Sequence, residues 1–302
     1  MYFYINSYSY NSILLNKYLL IIFFLAFNLN ATAQKKNFFE NPSNYLIKGT
    51  YQKYQSAMGS GSGFIIHISI PKKMMDKNNE ILLECHDGIA LLTLNRGAKM
   101  NAFSDQMRAQ YLEALDEVTT NRSIRALVIT GAGKGFCAGG DIAGMKNRMQ
   151  APVTEMAFNG WTRQQYVGRT VTTLMNIPKP TIAAVNGPAT GLGADLAISC
   201  DFVMASSGAV FAWSYILREI IPDGGGMYFL PRRIGLSKAK ELIFTGRKVD
   251  AQEALAMGII DRISDPDELV SQSIAWAKEL SRGSEVALAL TKNIMNRSFE
   301  TP

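Results

Sequence analysis

Apolar runs separated by turn residues begin near residue 81, and their spacing predicts the start of a globular domain. Ile81–Glu84 and Ile89–Leu94 flank Asp87-Gly88, a dipeptide that is typical of a two-residue hairpin turn. Ser104 precedes a stretch of helical periodicity, and its hydroxyl is suited to accept a hydrogen bond from a free N–H of the first turn. We therefore expect a β-hairpin followed by a helix.

Short apolar segments and longer amphipathic segments alternate along the rest of the chain. Buried strands are predicted at Arg125–Thr130, Thr181–Val185, Phe202–Ala205 and Ala209–Phe211. Helices are predicted at Trp161–Met175, Gly191–Ser199, Ser237–Phe244, Ala251–Met257, Asp267–Leu280 and Glu285–Asn296. Strands that alternate with helices imply βαβ units, so the pattern predicts the α/β class with a largely parallel sheet.

The N-terminal region has a different pattern, with one strongly hydrophobic segment. Tyr18–Phe27 is an apolar run behind Lys17, and the small residues Ala31-Thr32-Ala33 follow it. This is the layout of a secretory signal, and the run is short for a membrane span, which needs about 20 apolar residues. We expect residues 1–33 to be a signal-like or hydrophobic segment.

Three parts of the chain are predicted from these patterns. Residues 1–33 form the hydrophobic segment, residues 34–79 an irregular or linker segment, and residues 80–302 the globular domain. An alternative for the first part is an upstream extension that was joined to a gene whose start is Met74 or Met75.

Composition and charge narrow the classes of function. The chain is 47% hydrophobic and 19% charged, which excludes a mainly disordered protein. Residues 1–73 contain seven lysines and a single acid, Glu40, so they carry the whole net charge of +6 and the remainder is neutral. We expect no nucleic-acid partner. Two histidines and three cysteines disfavour a metal site and a Ser-His-Asp hydrolase.

Glycine is concentrated at three junctions where a strand leads into a helix, namely Gly131–Gly140, Gly187–Gly193 and Gly224–Gly226. The first N–H groups of a helix lack intrahelical partners, so two neighbouring junctions can direct two N–H groups at one oxygen. Such an oxyanion hole stabilises charge that develops during a reaction. The alternative for any single junction is a tight turn without a role in chemistry.

Two motifs together are specific to one family. Phe136–Ile142 (FCAGGDI) and Asn186–Asp195 (NGPATGLGAD) resemble the crotonase superfamily, the enoyl-CoA hydratase/isomerase family. Further motifs agree in order and spacing: Leu94-Asn95-Arg96, Asn101-Ala102-Phe103, Lys179–Gly187, Ile221–Gly225, Leu230-Pro231-Arg232 and Thr245-Gly246-Arg247. The resemblance covers roughly residues 80–298 and implies a crotonase-like spiral of ββα repeats followed by C-terminal helices, here shortened.

The resemblance also implies an acyl-CoA substrate and a set of binding residues. By motif, the backbone N–H groups of Gly140 and Leu192 correspond to the oxyanion-hole donors of the family. The segment that corresponds to the family's CoA-binding block contributes Ala138, Gly140, Asp141, Ile142 and Ala143, with Leu192 beside the pocket. CoA enters as part of the substrate, so no separate cofactor is expected.

Proton transfer requires a base within reach of the substrate carbon. The hydratases of the family use two glutamates; the first falls at Asp195 here and the second near Tyr215, where no carboxylate exists. Asp223, in a Pro-Asp-Gly-Gly motif that resembles isomerase-like members, is a second candidate base, with an N-cap of the next helix as its alternative role. We expect double-bond isomerisation; the alternatives are hydration with Asp195 as base, or a truncated non-catalytic protein.

Assembly and location follow from the same resemblance. It implies a homotrimer or hexamer. Family members usually continue past the position that corresponds to Pro302, so the shortened end predicts a weak trimer and a pocket that lacks a wall. CoA thioesters are intracellular metabolites and the domain lacks a disulfide framework, so we expect the enzyme domain to be cytoplasmic.

Overall fold

The computed structural model describes residues 46–56, 59–69, 79–142, 144, 150 and 152–300. The chain divides into two units, Met1–Lys77 and Asn78–Pro302. The hydrophobic segment 1–33 lies outside the described residues, as does Ala143.

The first unit contains an antiparallel pair of strands, β1 (Leu46–Ser56) and β2 (Gly59–Ser69). The prediction of an irregular segment over residues 34–79 is therefore wrong at these two strands. Their Thr, Tyr, Phe and Ile residues favour extended backbone, but glycine and serine interrupt the period-two pattern that reveals a strand in a sequence.

The second unit begins with the predicted hairpin. The strands β3 (Ile81–His86) and β4 (Ile89–Leu94) pair antiparallel. Asp87 and Gly88 both have positive φ, at 50° and 80°, as a two-residue turn of this kind requires. The Asp-Gly dipeptide thus fixes the register of the first two strands.

The predicted helix follows the hairpin as α1 (Asp105–Thr120). The Ser104 hydroxyl accepts a hydrogen bond from the N–H of Met107 at 2.9 Å, which confirms Ser104 as the N-cap. A cap of this kind stabilises a helix by about 1 kcal/mol, because a free N–H of the first turn gains an acceptor.

Most of the remaining strands join β3 and β4 in one six-stranded sheet, in the order β11–β8–β6–β5–β4–β3. All pairs except β3–β4 are parallel, as the α/β pattern predicted. A second sheet has the order β10–β9–β7. The strands are β5 (Ala126–Gly131), β6 (Thr181–Val185), β7 (Ala189–Thr190), β8 (Phe202–Ser206), β9 (Val210–Ala212), β10 (Lys248–Asp250) and β11 (Arg262–Ser264).

Helices cover the sheet and form the C-terminal part of the unit. They are α2 (Val153–Met175), α3 (Leu192–Ile198), α4 (Gly226–Ile234), α5 (Leu236–Thr245), α6 (Ala251–Met257), α7 (Leu269–Leu280) and α8 (Glu285–Arg297). α2 begins eight residues earlier than the predicted Trp161, directly after Pro152, whose fixed φ suits a helix start. No described helix combines the length and the apolar character that crossing a membrane requires.

The central strand β5 is buried on both faces. Leu127 and Ile129 belong to the large core cluster, whereas Ala126 and Val128 belong to a second cluster with Trp276 of α7. Successive side chains of a strand point to opposite faces, so a strand between two helical layers must be apolar throughout. The parallel strands β5 and β6 therefore end at the same sheet edge, where the two glycine-rich loops begin.

Candidate active site

The loops after β5 and β6 pack directly against each other. Cys137 and Ala189 form a parallel bridge, and the N–H of Thr190 donates to the Cys137 carbonyl at 2.9 Å. A side chain at Gly193 would overlap that same carbonyl, so only glycine allows α3 to begin this close to the first loop. The two motifs that carry the family resemblance thus form one structural unit.

The backbone around Gly140 is held by Phe103. The N–H of Phe103 donates to the Gly139 carbonyl at 2.7 Å, and the N–H of Asp141 donates to the Phe103 carbonyl at 3.2 Å. In a parallel bridge the flanking residues make these bonds, so the N–H of Gly140 itself points away from Phe103. Gly140 itself lines a pocket.

Leu192 is the second predicted donor position. Leu192 is the first residue of α3, so its N–H has no intrahelical acceptor. The preceding residue, Gly191, is fixed by a hydrogen bond from its N–H to the Ala212 carbonyl at 2.9 Å. Leu192 lines the same pocket as Gly140. The tertiary structure therefore brings both predicted oxyanion-hole residues to one pocket wall.

The pocket has a mixed apolar and charged lining. Its residues are Ala138, Gly139, Gly140, Ile142, Arg163, Val167, Thr190, Gly191, Leu192, Ser214, Tyr215, Arg218, Ile220 and Asp223. Five predicted site residues are among them: Ala138, Gly140, Ile142, Leu192 and Asp223. Asp141 and Asp195 do not line it.

Asp141 makes an ion pair at the rim of the first loop. Its Oδ2 lies 3.0 Å from Nη2 of Arg96, and Nε of Arg96 lies 2.9 Å from a carboxylate oxygen of Glu80. These contacts connect the loop to the end of β4 and the chain just before β3. The Asp141 side chain thus anchors the loop, whereas its neighbours face the pocket.

Asp195 is fully buried and its carboxylate is surrounded by donors. Oδ1 accepts a hydrogen bond from Nε1 of Trp213 at 2.8 Å, and Oδ2 accepts one from the Tyr215 hydroxyl at 2.6 Å. The backbone N–H of Gly226 also hydrogen-bonds this carboxylate. Burial raises the pKa of Asp195 to about 7, although the Tyr215 and Trp213 hydrogen bonds oppose the rise.

The hydrogen bond between Gly226 and Asp195 requires a residue without a side chain at position 226. A Cβ at residue 226 would overlap Oδ1 of Asp195. Glycine therefore lets the start of α4 approach the carboxylate closely enough for its N–H to reach it.

Asp223 has a different environment, although it lies on the same side of the molecule. Its carboxylate lines the pocket, and its Oδ2 lies 3.7 Å from Nη1 of Arg163. Burial raises the pKa of Asp223, while the positive charge of Arg163 opposes the rise. The N-cap of α4 is Gly225, so the alternative role of Asp223 as the N-cap is excluded.

Two functional neighbours were missed by the sequence analysis. Tyr215 was recognised only as a position without a carboxylate, and nothing local indicated that its hydroxyl donates a hydrogen bond to Asp195 on α3. Arg163 lies in a helix that contains no motif, so only the tertiary structure reveals it beside Asp223. Cys137 and Cys200 are buried, as predicted, and burial raises the pKa of both thiols to about 12.

Comparison with known proteins agrees with this geometry. The family model described as enoyl-CoA hydratase/isomerase matches residues 84–302. The chain is 36% identical to the 1,2-epoxyphenylacetyl-CoA isomerase of Escherichia coli over 73% of this chain and 83% of the relative. It is 33% identical to the short-chain-enoyl-CoA hydratase of Clostridium acetobutylicum over 74% of this chain and 83% of the relative.

Solved structures of enoyl-CoA hydratases have a similar fold. The crystal structure of an enoyl-CoA hydratase from Bacillus anthracis superimposes with a TM-score of 0.68 at 29% sequence identity, over 74% of this chain and 85% of that one. The relatives include both isomerases and hydratases, so they support the family and its crotonase fold rather than one reaction. With a family model that spans the globular unit and relatives above 30% identity, this chain belongs to the enoyl-CoA hydratase/isomerase family.

Proposed function

We propose that this protein shifts the double bond of a 3-enoyl-CoA thioester to the 2-position, with Asp223 as the only proton-transfer group. The observation that carries the proposal is the lining of the pocket, in which Asp223 is the only acid among the described lining residues. Isomerisation can use one base that removes and returns a proton, whereas hydration needs two groups to hold and split one water.

The oxyanion hole supplies the stabilisation that this reaction needs. Removal of a proton from the α-carbon moves negative charge onto the thioester carbonyl oxygen. Gly140 and Leu192 both line the pocket, which supports their N–H groups as the donors. Donors that are fixed before the reaction lower the barrier because they need no rearrangement.

Asp223 carries out both proton transfers, so the substrate and the product have the same mass. Its carboxylate takes a proton from the α-carbon, and the electron pair of that C–H bond becomes part of the dienolate. The same carboxyl group returns a proton to the γ-carbon, and the double bond moves into conjugation with the thioester. A carboxylate whose pKa is raised by burial is suited to both steps.

The environment of Asp195 argues against a direct part in the chemistry. Its carboxylate oxygens accept hydrogen bonds from Trp213, Tyr215 and Gly226, and its side chain is fully buried. We assign Asp195 to positioning, because it connects the pocket residue Tyr215 to the turn that follows Asp223. Hydration with Asp195 as base would require this network to open.

The acyl-CoA is expected to enter along the first loop. Ala138 and Ile142 line the pocket beside Gly140, which is consistent with their proposed contact with CoA.

The assembly into a homotrimer or hexamer and the cytoplasmic location of the enzyme domain stay predictions.

Product analysis tests the proposed reaction. The purified full chain is incubated separately with 3-hexenoyl-CoA and 2-hexenoyl-CoA. The products are separated by chromatography, and their masses are measured by mass spectrometry. We expect conversion of the 3-enoyl thioester at unchanged mass. Gain of one water by the 2-enoyl thioester, without isomerisation of the other, would establish the hydratase alternative, and no product from either thioester would contradict the proposal.

A further inference from the structure

We infer that Arg163 binds a carboxylate at the distal end of the acyl group, so the preferred substrate is the enoyl-CoA thioester of a dicarboxylic acid. The inference rests on the proposed function, because it takes the pocket beside Asp223 as the acyl site. It concerns the substrate class rather than the reaction.

The guanidinium of Arg163 has no close hydrogen-bond acceptor among the described residues. Its side chain lines the pocket and is only 23% exposed. Its nearest carboxylate oxygen, on Asp223, is 3.7 Å away, which is beyond the usual limit of about 3.2 Å for such a hydrogen bond. Within residues 79–142, 144, 150 and 152–300, no acceptor forms a hydrogen bond with its guanidinium.

An arginine in this state is suited to a ligand. The guanidinium is a planar fork of several N–H donors and has no acceptor of its own. The side chain is only partly exposed, so these donors have limited access to water, and a carboxylate satisfies two of them in parallel. We therefore expect the missing acceptor to arrive with the substrate.

The charge balance of the pocket supports an anionic group. Arg218 also lines the pocket, and it has no ion pair within the described part of the chain. Among the described lining residues, Arg163 and the exposed Arg218 are the positive charges and Asp223 is the negative one. Water solvates the exposed Arg218, so Arg163 is the arginine that a terminal carboxylate in the pocket would meet.

The position of Arg163 assigns it to the acyl group rather than to the CoA phosphates. Asp223 must reach the α- and γ-carbons of the acyl group, and Arg163 lies 3.7 Å from its carboxylate. The phosphates of CoA are separated from those carbons by the whole pantetheine arm. Val167, one helical turn after Arg163, lines the same pocket, so this face of α2 forms a wall of the acyl site.

Binding calorimetry on the full chain tests the inference without turnover. Adipoyl-CoA and hexanoyl-CoA have acyl chains of the same length, and only adipoyl-CoA ends in a carboxylate. We expect adipoyl-CoA to bind at least about tenfold more tightly, because a site built for a polar group discriminates strongly against a ligand that lacks it. Arg163→Gln should abolish the difference.

The matched control is Arg169→Gln, on the same helix, exposed and outside the pocket lining. We expect this variant to keep the adipoyl preference, and thermal unfolding shows that both variants fold. Equal binding of the two thioesters by the unchanged protein would overturn the inference. So would a preference that survives Arg163→Gln, or an equal loss of affinity for free CoA, which would assign Arg163 to the phosphates.

Turnover of 3-hexenedioyl-CoA and 3-hexenoyl-CoA separates the inference from the proposed function. A binding preference without isomerisation of either thioester would support the role of Arg163 and contradict the isomerase. Isomerisation of both thioesters at equal kcat/KM, with no binding preference, would support the isomerase and overturn the inference.

Discussion

Two carboxylates with raised pKa values, Asp195 and Asp223, differ in what surrounds them. Asp195 is enclosed by neutral donors from Trp213, Tyr215 and Gly226. Asp223 faces a cation and a pocket. Burial is the main cause of the pKa rise in both. A catalytic base needs access to the substrate as well as a suitable pKa, and of these two carboxylates only Asp223 lines the pocket.

The two groups are also coupled. The negative charge of Asp223 contributes to the rise in the pKa of Asp195, so a change at one carboxylate alters the other. Activity and stability therefore have to be measured together on each variant. If the two roles are distinct, the Asp223 substitution acts mainly on activity and the Asp195 substitution mainly on stability.

The largest effect is expected for Asp223→Asn. The amide cannot accept the substrate proton, so kcat should fall by about 10²- to 10⁴-fold in the isomerase assay. Calorimetry should show that adipoyl-CoA still binds, because the substitution leaves the proposed backbone donors and Arg163 in place. Asp267→Asn is the matched control, because Asp267 is exposed and does not line the pocket. This variant should keep full activity. Unimpaired turnover by Asp223→Asn would remove Asp223 from the mechanism.

A smaller effect, on stability rather than chemistry, is expected for Asp195→Asn. The amide NH₂ group would face one of the donors, so a buried hydrogen bond is lost at a cost of about 1–3 kcal/mol in the free energy of unfolding. Urea unfolding measures this loss. A decrease in kcat as large as that of Asp223→Asn, without loss of stability, would reverse the two roles.

The pH dependence of the same variant sharpens the test. The pKa of Asp195 is raised in the folded state, so between about pH 4 and pH 7 the folded protein binds more protons than the unfolded one. The contribution of Asp195 to stability is therefore greatest at low pH and declines as the pH rises through about 7. Going from pH 5 to pH 8, the unchanged protein should lose more stability than Asp195→Asn does.

The smallest effect is expected for Tyr215→Phe. Phenylalanine keeps the aromatic wall of the pocket and removes only the hydroxyl that donates to Asp195, so the free energy of unfolding should fall by about 1 kcal/mol. The pKa of Asp195 should rise further, because that hydrogen bond lowers it. Urea unfolding at a series of pH values checks both points. Tyr166→Phe, at an exposed tyrosine of α2, is the control and should change neither.

The sequence predicted the local elements where the signal was local. The Asp87-Gly88 turn, the Ser104 cap and the apolar strand β5 depend on residues close together in the chain, and the structure confirms all of them. The three-residue strands β10 and β11 were missed, because so short a segment shows no period.

The candidate site was predictable only in part, because the sequence shows local motifs but not the contacts between residues that are far apart in the chain. Gly140 and Leu192 were found because their motifs carry the family resemblance. The difference between Asp195 and Asp223 depends on Trp213 and Tyr215, which lie 18 and 20 residues from Asp195, and on Arg163 in a separate helix. No local pattern encodes these side-chain contacts.

The sequence by itself determined the fold class and the family, and it predicted the pair of backbone donors, because turn chemistry, hydrophobic period and contiguous motifs are properties of neighbouring residues. Only the tertiary structure decided which carboxylate faces the pocket and that Arg163 stands beside it. The free energy of a buried charge depends on the groups that packing brings around it, and those groups come from distant parts of the chain.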